Sequence, residues 1–219
     1  MAKVVIFGTS QWAELAHFYL THDSPHEVVA FTLDRDYLEE KQFKDLPVIA
    51  FDELEQHYPP AEYRLFIPIS FKRMNHARAQ KYEEAHARGY SMISYVSSKA
   101  TIWPGFKCGE NCFIFEDNTI QPFVTIGNNV VLWSGNHIGH HSQIKDHNFF
   151  TSHVVLSGHC VVNPHCFLGV NATIRDQVQL GEGTLVGMGA NITRNTEPWS
   201  VYKADGCKPS KISSKDLDF

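Results

Sequence analysis

Hydrophobic side chains recur at every sixth position over nearly half of this chain. Residues 100–195 divide into 16 consecutive hexapeptides without an insertion, and the third position holds Ile, Leu or Val in 14 of them. Cys108 and Phe150 are the two exceptions. A period of six fits neither an amphipathic helix nor the alternation of hairpin strands. It is typical of a parallel β-helix, in which each hexapeptide supplies one short strand and one corner.

Three consecutive hexapeptides predict one triangular coil, with the third position of each pointing inward. We expect successive coils to pair as parallel strands about 4.8 Å apart. Positions four to six are rich in Gly, Asn, Asp and Pro. These residues tolerate tight or left-handed backbone, so positions four to six predict the corners. Perfect hexapeptides favour the left-handed form. We expect the N-terminal domain and a tail of residues 196–219 to cover the open ends of the stack.

Strand and helix patterns alternate along residues 1–97. Apolar runs predict strands at residues 3–7, 27–33, 46–51, 63–69 and 91–96, and helices at 12–20 and 74–88, with a short helix capped by Asp52 that ends at Tyr58. Pro68 favours either an edge position or a strand end for the fourth strand. This alternation predicts a small doubly wound parallel sheet. The chain is therefore predicted to combine a Rossmann-like α/β domain at 1–97 with an all-β, left-handed β-helix domain and tail at 98–219.

Composition limits the functions that this fold can serve. The net charge is −5, which gives no footprint for nucleic acid. Five cysteines lack a CxxC pair, and four occupy first or third repeat positions as small core residues, which suits a reducing cytoplasm. The sequence begins directly with a strand pattern and has no apolar run long enough to span a bilayer, so we expect neither a signal peptide nor membrane association.

Polar residues follow the predicted parallel strands, where sheets of this kind bind ligands. They fall in three loops: Gly8, Thr9 and Ser10; Asp34, Arg35 and Asp36; and Ser70, Lys72 and Arg73. The first loop is not G-x-G-x-x-G, so a mononucleotide or a nucleotide sugar fits better than a dinucleotide. The helix that begins after Ser10 offers its N-terminus to a phosphate. Solvated loops without a ligand are the alternative.

Five histidines occupy the sixth position of consecutive hexapeptides: His141, His147, His153, His159 and His165. Residues one coil apart stack on one corner, so His141 is predicted to lie under His159. Three interpretations stay open at this point. The histidines are polar corner residues, they chelate a metal, or one of them, or the neighbouring His140, is a catalytic base. No Cys, Asp or Glu converges on them at a usable spacing, so we expect no metal.

The order of these two domains resembles the bacterial sugar acyltransferases of the NeuD and PglD type. Residues 138–145 (IGHHSQIK) match the family motif I-x-H-[DE]-x-x-I-G, which places the family's base at His140. His141 stands where the family has the acidic residue that orients the base, and Phe149 stands where a second His often lies. The first loop reads GTSQWAEL instead of a glycine-rich G-x-G-G-H-like sequence.

This resemblance implies an acetyl-CoA-dependent N-acetyltransferase that acts on a nucleotide-linked amino sugar, with an NDP-4-amino-4,6-dideoxyhexose as the expected acceptor. It also implies a homotrimer in which acetyl-CoA lies at a subunit boundary. His140 and His141 are then the catalytic pair. Acetylation of a sugar hydroxyl and a non-catalytic nucleotide-sugar-binding trimer are the alternatives. A hydroxyl needs a stronger base, so the absence of a carboxylate at His141 favours an amine.

Glycines near the base provide room for a coenzyme. Gly158 occupies the same repeat position as His140, one coil later, so it is predicted to stack beside the base and to offer its N–H to an oxyanion. The resemblance places the coenzyme along the small residues Gly187, Gly189 and Ala190, and Gly158 and Val170 are further candidate contacts. Lys208 and Lys211 are the candidates for binding its phosphates.

Overall fold

The computed structural model describes residues 1–206, which form an α/β part followed by a β-helix. The strands of the α/β part are β1 (Lys3–Phe7), β2 (Glu27–Leu33), β3 (Gln42–Phe43), β4 (Leu46–Ala50) and β5 (Tyr63–Phe66). Its helices are α1 (Gln11–His22), α2 (Leu54–His57) and α3 (His76–Ala87). The two parts share one apolar cluster, so they pack directly against each other.

The α/β sheet has the strand order β3-β4-β2-β1-β5 and is parallel except for the β3–β4 pair. The predicted parallel sheet is confirmed. The strand predicted at 91–96 joins this sheet only around Met92. Met92 makes a single bridge with Leu65, and β6 (Tyr95–Val96) instead pairs with β8 (Phe113–Ile114) of the β-helix. Tyr95 packs with Phe113 in the shared cluster, which draws this segment away from the sheet.

Asp52 does not cap a helix, contrary to the sequence prediction. The chain enters α2 through a 3₁₀ turn at Phe51–Glu53, which contains Asp52 and makes Glu53 the residue at the N-cap. The Asp52 carboxylate instead accepts two hydrogen bonds from Arg35, at 2.9 and 3.1 Å. Helix α3 ends before Gly89, whose φ of 84° is the left-handed conformation that the predicted helix stop requires.

Short parallel strands form the three faces of a left-handed β-helix. The first face contains β7 (Thr101–Ile102), β9 (Thr119–Ile120), β12 (His137–Ile138), β15 (Val155–Leu156), β18 (Thr173–Ile174) and β21 (Asn191–Ile192). The second contains β10 (Thr125–Ile126), β13 (Gln143–Ile144), β16 (Val161–Val162) and β19 (Gln179–Leu180). The third contains β6, β8, β11 (Val131–Leu132), β14 (Phe149–Phe150), β17 (Phe167–Leu168), β20 (Leu185–Val186) and β22 (Val201–Tyr202). Pairing thus begins at Tyr95, and the domain boundary at 97/98 stays a prediction.

Partners in each ladder lie one predicted coil apart along the chain, as in the pair of Ile138 with Leu156. Third-position side chains from Ile114 to Ile192 are buried in one continuous core. The first coil is less regular, because Ile102 is 37% exposed and Cys108 makes only an isolated bridge with Ile126. The six-residue period therefore predicts the interior correctly except in this first coil.

Three corners run along the β-helix between the faces. Corner A follows the first face and includes residues 139–141, corner B follows the second face and includes 145–147, and corner C follows the third face and includes 151–153. Every sixth-position residue from Gly105 to Gly189 has a positive φ, between 54° and 89°. Asn, Asp, His and Gly tolerate this conformation better than most residues. The left-handed backbone at the sixth position therefore accounts for the five histidines there.

The α/β part packs along the side of the β-helix rather than over its first coil. Second-position residues of the third face point outward and form one apolar row against α1: Phe113, Val131, Phe149 and Phe167. Ile102 and Trp103 of the first coil remain exposed among the described residues. The expectation that the N-terminal domain covers this end is therefore wrong, because α1 packs against the apolar row of the third face instead.

The last described strand, β22, pairs with β20 and extends the third face. The tail from residue 207 onward lies outside the described residues. Within residues 1–206, no helix is both long enough and apolar enough to cross a bilayer.

Candidate active site

The imidazole of His140 is exposed on corner A, two residues after the end of β12. The backbone N–H of His140 donates to Oε1 of Gln121 at 2.9 Å, which fixes the corner from the coil below. The His140 ring lies edge-on to the ring of His159, with centroids 5.0 Å apart. The side chain is therefore held on a rigid corner and is open to solvent, as a general base requires.

Gly158 lies beside the His140 ring, one coil further along corner A. A Cβ atom at residue 158 would lie 2.9 Å from Cε1 and 3.0 Å from Nε2 of His140, so any side chain there would displace the ring. The Gly158 N–H donates to no other described residue. A free N–H next to an exposed imidazole is the pair of groups that acyl transfer uses to receive charge and a proton.

His141 contacts His140 through their Nδ1 atoms, which lie 3.1 Å apart. One nitrogen must donate and the other accept, because two lone pairs at this distance repel. When His140 carries its proton on Nδ1, its Nε2 has a free lone pair beside Gly158. His141 thus occupies the sequence position of the expected acidic residue and contacts the His140 ring, but it brings no negative charge. The ring of His141 is itself packed between Phe123 and His159, with centroids at 4.6 and 4.8 Å.

The other residues proposed for the coenzyme follow the third face and are not on corner A. Val170 is 37% exposed on corner C, and Gly187 and Gly189 lie one coil above it. Ala190 is only 5% exposed, because it occupies an inward first position. Corners A and C are different edges of the prism, so one chain does not bring these residues to His140. Lys208 and Lys211 lie outside the described residues.

The loops after β1 and β5 line a cavity of about 480 Å³ in the α/β part. Five of the predicted ligand residues contribute to it: Gly8, Thr9, Ser10, Ser70 and Lys72. Ser10 is the N-cap of α1, so the positive end of the helix dipole faces this region. A helix N-terminus next to a lysine is suited to a phosphate.

The remaining predicted ligand residues make contacts elsewhere. Asp34 accepts a hydrogen bond from Lys81 at 2.7 Å. Arg35 forms ion pairs with Asp52 and Glu53, and its hydrogen bond to Asp52 is the main cause of the raised pKa of its guanidinium. Asp36 is exposed in a 3₁₀ turn at Arg35–Tyr37.

Arg73 donates to Gln80 and lines a separate cavity beside α3. The structure thus brings together the first and third predicted loops and leaves the charged residues of the second outside their cavity.

Sequence reasoning gave no role to Leu33 and Tyr37, which also line the cavity wall. Trp12, at the end of the first predicted ligand loop, lines the same wall. Its ring contacts Trp133 and Phe149, with centroids 5.3 and 5.8 Å away.

Trp133 belongs to corner C, so the cavity lies next to corner C of its own chain. Phe149 is buried in this junction and is 1% exposed, which removes it from any catalytic role.

Solved structures provide the comparison with known proteins. No protein family model matches the sequence, and no curated protein matches it significantly. The acetyltransferase domain of PglB from Neisseria gonorrhoeae superposes with a TM-score of 0.78 at 18% identity, over 96% of this chain and 100% of that one. A mutant of perosamine N-acetyltransferase from Caulobacter crescentus, in complex with CoA and GDP-perosamine, gives 0.82 at 21% identity, over 93% and 94%.

This chain has the fold of these acetyltransferases. A third protein, WeeI from Acinetobacter baumannii AYE, superposes with a TM-score of 0.67 at 18% identity, over 92% of this chain and 96% of that one. The resemblance expected from the sequence is therefore confirmed for the fold of the whole described chain. At 18% to 21% identity these structures show the fold alone, so the reaction that the protein catalyses depends on the geometry of its own site.

Proposed function

We propose that this protein is an acetyl-CoA-dependent N-acetyltransferase that acts on a nucleotide-linked amino sugar. The observation that carries the proposal is the pairing of the exposed His140 ring with the free N–H of Gly158. A ligand cavity in the α/β part supplies a second binding region for the acceptor. Solved proteins of the same fold include one that holds CoA and GDP-perosamine, which supports this substrate class.

His140 is the general base in this reaction. Its Nε2 accepts the proton that the sugar amine loses as the amine nitrogen bonds to the acetyl carbon. The same proton can pass to the thiolate that leaves as the carbon–sulfur bond breaks. His141 holds the other side of the His140 ring through the Nδ1 contact and so aims Nε2 at the reacting atoms.

Gly158 fits a thioester group. The absence of a side chain leaves space beside His140, and the N–H points to no other described group. This N–H donates to the carbonyl oxygen as negative charge develops on it, which stabilises the transition state. Acetyl-CoA supplies the acetyl group as a co-substrate, and no metal is required.

The division of the candidate residues between two corners supports a homotrimer. His140 and Gly158 lie on corner A, whereas Val170, Gly187 and Gly189 lie on corner C. One coenzyme molecule that reaches both sets must lie between corner A of one copy and corner C of another. Three such boundaries close a ring. The acceptor cavity adjoins corner C, so each site would combine the sugar-binding part of one copy with the base of its neighbour.

The acceptor in this proposal is an NDP-4-amino-4,6-dideoxyhexose. Lys72 and the N-terminus of α1 are placed to bind its diphosphate, and the loop that contains Ser70 forms the opposite wall. Trp12 offers an apolar ring to the sugar. The described cysteines are free thiols, which suits a reaction in the reducing cytoplasm.

A thiol-release assay tests the proposed function. The full-length protein, acetyl-CoA and a panel of GDP-, UDP- and dTDP-linked 4-amino and 3-amino sugars are compared with the matching hydroxyl sugars. We expect release with an amino sugar, a loss of at least about 100-fold in His140→Asn, and wild-type rates in the corner C control His153→Asn. Release with hydroxyl sugars alone would show O-acetylation. Nucleotide-sugar binding without any release would show a non-catalytic binding protein.

A further inference from the structure

Three histidine side chains meet on corner A. One ring nitrogen from each of His140, His141 and His159 lies within 4.8 Å of the other two. All three side chains are exposed, so a dissolved ion can reach them without opening the fold. Among the described residues, this is the single group of three His, Cys, Asp or Glu side chains with such spacing.

The β-helix itself creates this cluster. His141 and His159 occupy sixth positions one coil apart, and their rings stack with centroids 4.8 Å apart and an interplanar angle of 11°. The backbone N–H of His159 donates to the carbonyl of His140 at 2.9 Å, which ties the two coils together. His140 adds the third ring, because its Nδ1 lies 3.1 Å from Nδ1 of His141. The three Cα positions are therefore fixed, and only the side-chain torsions remain free.

The spacing suits a transition metal ion. Tetrahedral zinc with metal–nitrogen bonds of about 2.0–2.1 Å separates its ligand nitrogens by about 3.3 Å. The His140–His141 pair already has nearly this separation, and rotation of the exposed His159 ring closes the third distance. Neutral imidazoles favour Zn²⁺, Ni²⁺ and Cu²⁺ over Mg²⁺ and Ca²⁺, which prefer oxygen ligands. Three protein ligands leave one position for water.

We propose that His140, His141 and His159 form a binding site for one borderline divalent transition metal ion, such as Zn²⁺ or Ni²⁺. The sequence pattern pointed away from a metal, because no Cys, Asp or Glu converges on the five sixth-position histidines at a usable spacing. The structure changes this view by adding His140 from the fifth position to the two stacked sixth-position rings. The ion is not needed for the transfer reaction.

Such an ion would block the proposed reaction. The ion binds the Nδ1 lone pair of His140 and so keeps the ring proton on Nε2, which then cannot accept a proton from the amine while the metal is bound. This consequence rests on the proposed function, whereas metal binding itself does not. Metal ions and protons compete for the same nitrogens, so binding weakens as the solution becomes acidic.

Calorimetric titration of the EDTA-treated full-length protein with Zn²⁺ tests the site directly. We expect one high-affinity ion per chain and no binding of Mg²⁺. His159→Asn, which keeps a residue suited to left-handed backbone, should weaken Zn²⁺ binding by roughly tenfold or more. His153→Asn is the matched control, because His153 is an exposed sixth-position histidine outside the cluster. Equal affinities in the two variants, or Zn²⁺ binding unchanged in His159→Asn, would overturn the proposal.

Activity provides a separate reading. Zn²⁺ should inhibit the wild type and the His153→Asn control, whereas the activity that His159→Asn retains, measured relative to its own metal-free rate, should resist the ion. If no transfer activity is found while Zn²⁺ binding still depends on His159, the proposed function fails and the metal site stands. If transfer is found but Zn²⁺ affinity is the same in the wild type and His159→Asn, the metal site fails and the proposed function stands.

Discussion

The guanidinium of Arg78 in α3 reaches Asn129 of the β-helix, far along the chain from α3. Arg78 Nε donates to Asn129 Oδ1 at 3.1 Å and Nη2 donates to the Asn129 carbonyl at 3.2 Å. Further donations go to the carbonyls of His147 and Asn148 and, on the α/β side, to that of Ser70. Arg78 is fully buried, which lowers its pKa to about 9 and leaves it charged at neutral pH. One side chain therefore joins the ligand-cavity loop to corner B.

Replacement of Arg78 should destabilise the junction between the two parts. Arg78→Met removes the donors and leaves several buried carbonyls unsatisfied, so we expect a loss of about 3 kcal/mol or more in the free energy of unfolding, measured by urea denaturation. Arg78→Lys retains the charge but has fewer N–H donors, so its free energy of unfolding should lie between those of the wild type and Arg78→Met. The control Arg88→Met removes a pairing with Glu55 near the surface and should cost about 1 kcal/mol or less. A cost for Arg78→Met no larger than for Arg88→Met would contradict this role.

Sequence patterns predicted the β-helix well because one physical requirement repeats in every hexapeptide. Each third position must fill the same narrow interior, so the period survives a change at Cys108 or Phe150. The junction with the α/β part lacks such a repeat. Its outward apolar row does recur once per coil, at Phe113, Val131, Phe149 and Phe167, but nothing in that spacing identifies the surface that covers it. The partners of Arg78 are mostly backbone carbonyls, which leave no mark in the sequence.

The candidate site was predictable only in part for a related reason. Strand ends predicted the loops at Gly8 and Ser70, because parallel strands place their C-terminal ends together. Arg35 of the charged loop pairs with Asp52 and Glu53 instead. This pairing depends on the 3₁₀ turn at Phe51–Glu53, where the sequence predicted a helix capped by Asp52. His140 could be singled out only by resemblance, since sequence spacing treats all corner histidines alike.

Gly158→Ala should separate activity from stability. Gly158 has no positive φ, so alanine fits the backbone, but its Cβ would lie 2.9 Å from the His140 ring and push the base aside. We expect transfer to fall by about 100-fold, with the free energy of unfolding changed by no more than about 0.5 kcal/mol.

Gly139→Ala is the matched comparison, because its Cβ would lie 2.5 Å from the backbone nitrogen of Gly158, which cannot move away. That variant should lose stability by about 1–3 kcal/mol. The outcome that contradicts this explanation is full activity in Gly158→Ala.

The left-handed corners predict opposite effects of one substitution at two histidines. His153 has a φ of 59°, where a β-branched residue costs about 1–2 kcal/mol. His137 is the second-position residue of β12, where valine suits the extended backbone. Urea denaturation should therefore show His153→Val less stable than the wild type and His137→Val equal to it or more stable. Equal losses in both variants would mean that the corner conformation imposes no such cost.

Histidine burial at corner B should make stability depend on pH. His147 has its pKa lowered from 6.5 to about 4, chiefly by desolvation and secondly by the neighbouring His165. Asp146 acts in the opposite direction, and Arg78 and His76 add to the lowering. In this range the unfolded chain binds a proton that the folded chain excludes, so the stability contributed by neutral His147 is present above pH 6.5 and is lost as the pH falls towards 4.

We expect the loss to reach about 1 kcal/mol, since the ring is only partly buried. His165 and His26 have pKa values lowered by burial as well, so some dependence will remain in any single variant. His147→Asn should flatten the pH dependence of the urea midpoint between pH 6.5 and 4, whereas the exposed control His153→Asn should keep the wild-type slope. Unequal midpoints at pH 7.5 do not affect the test, because only the slope of the midpoint against pH reports proton uptake on unfolding. If both variants keep the wild-type slope, the burial of His147 does not govern acid stability.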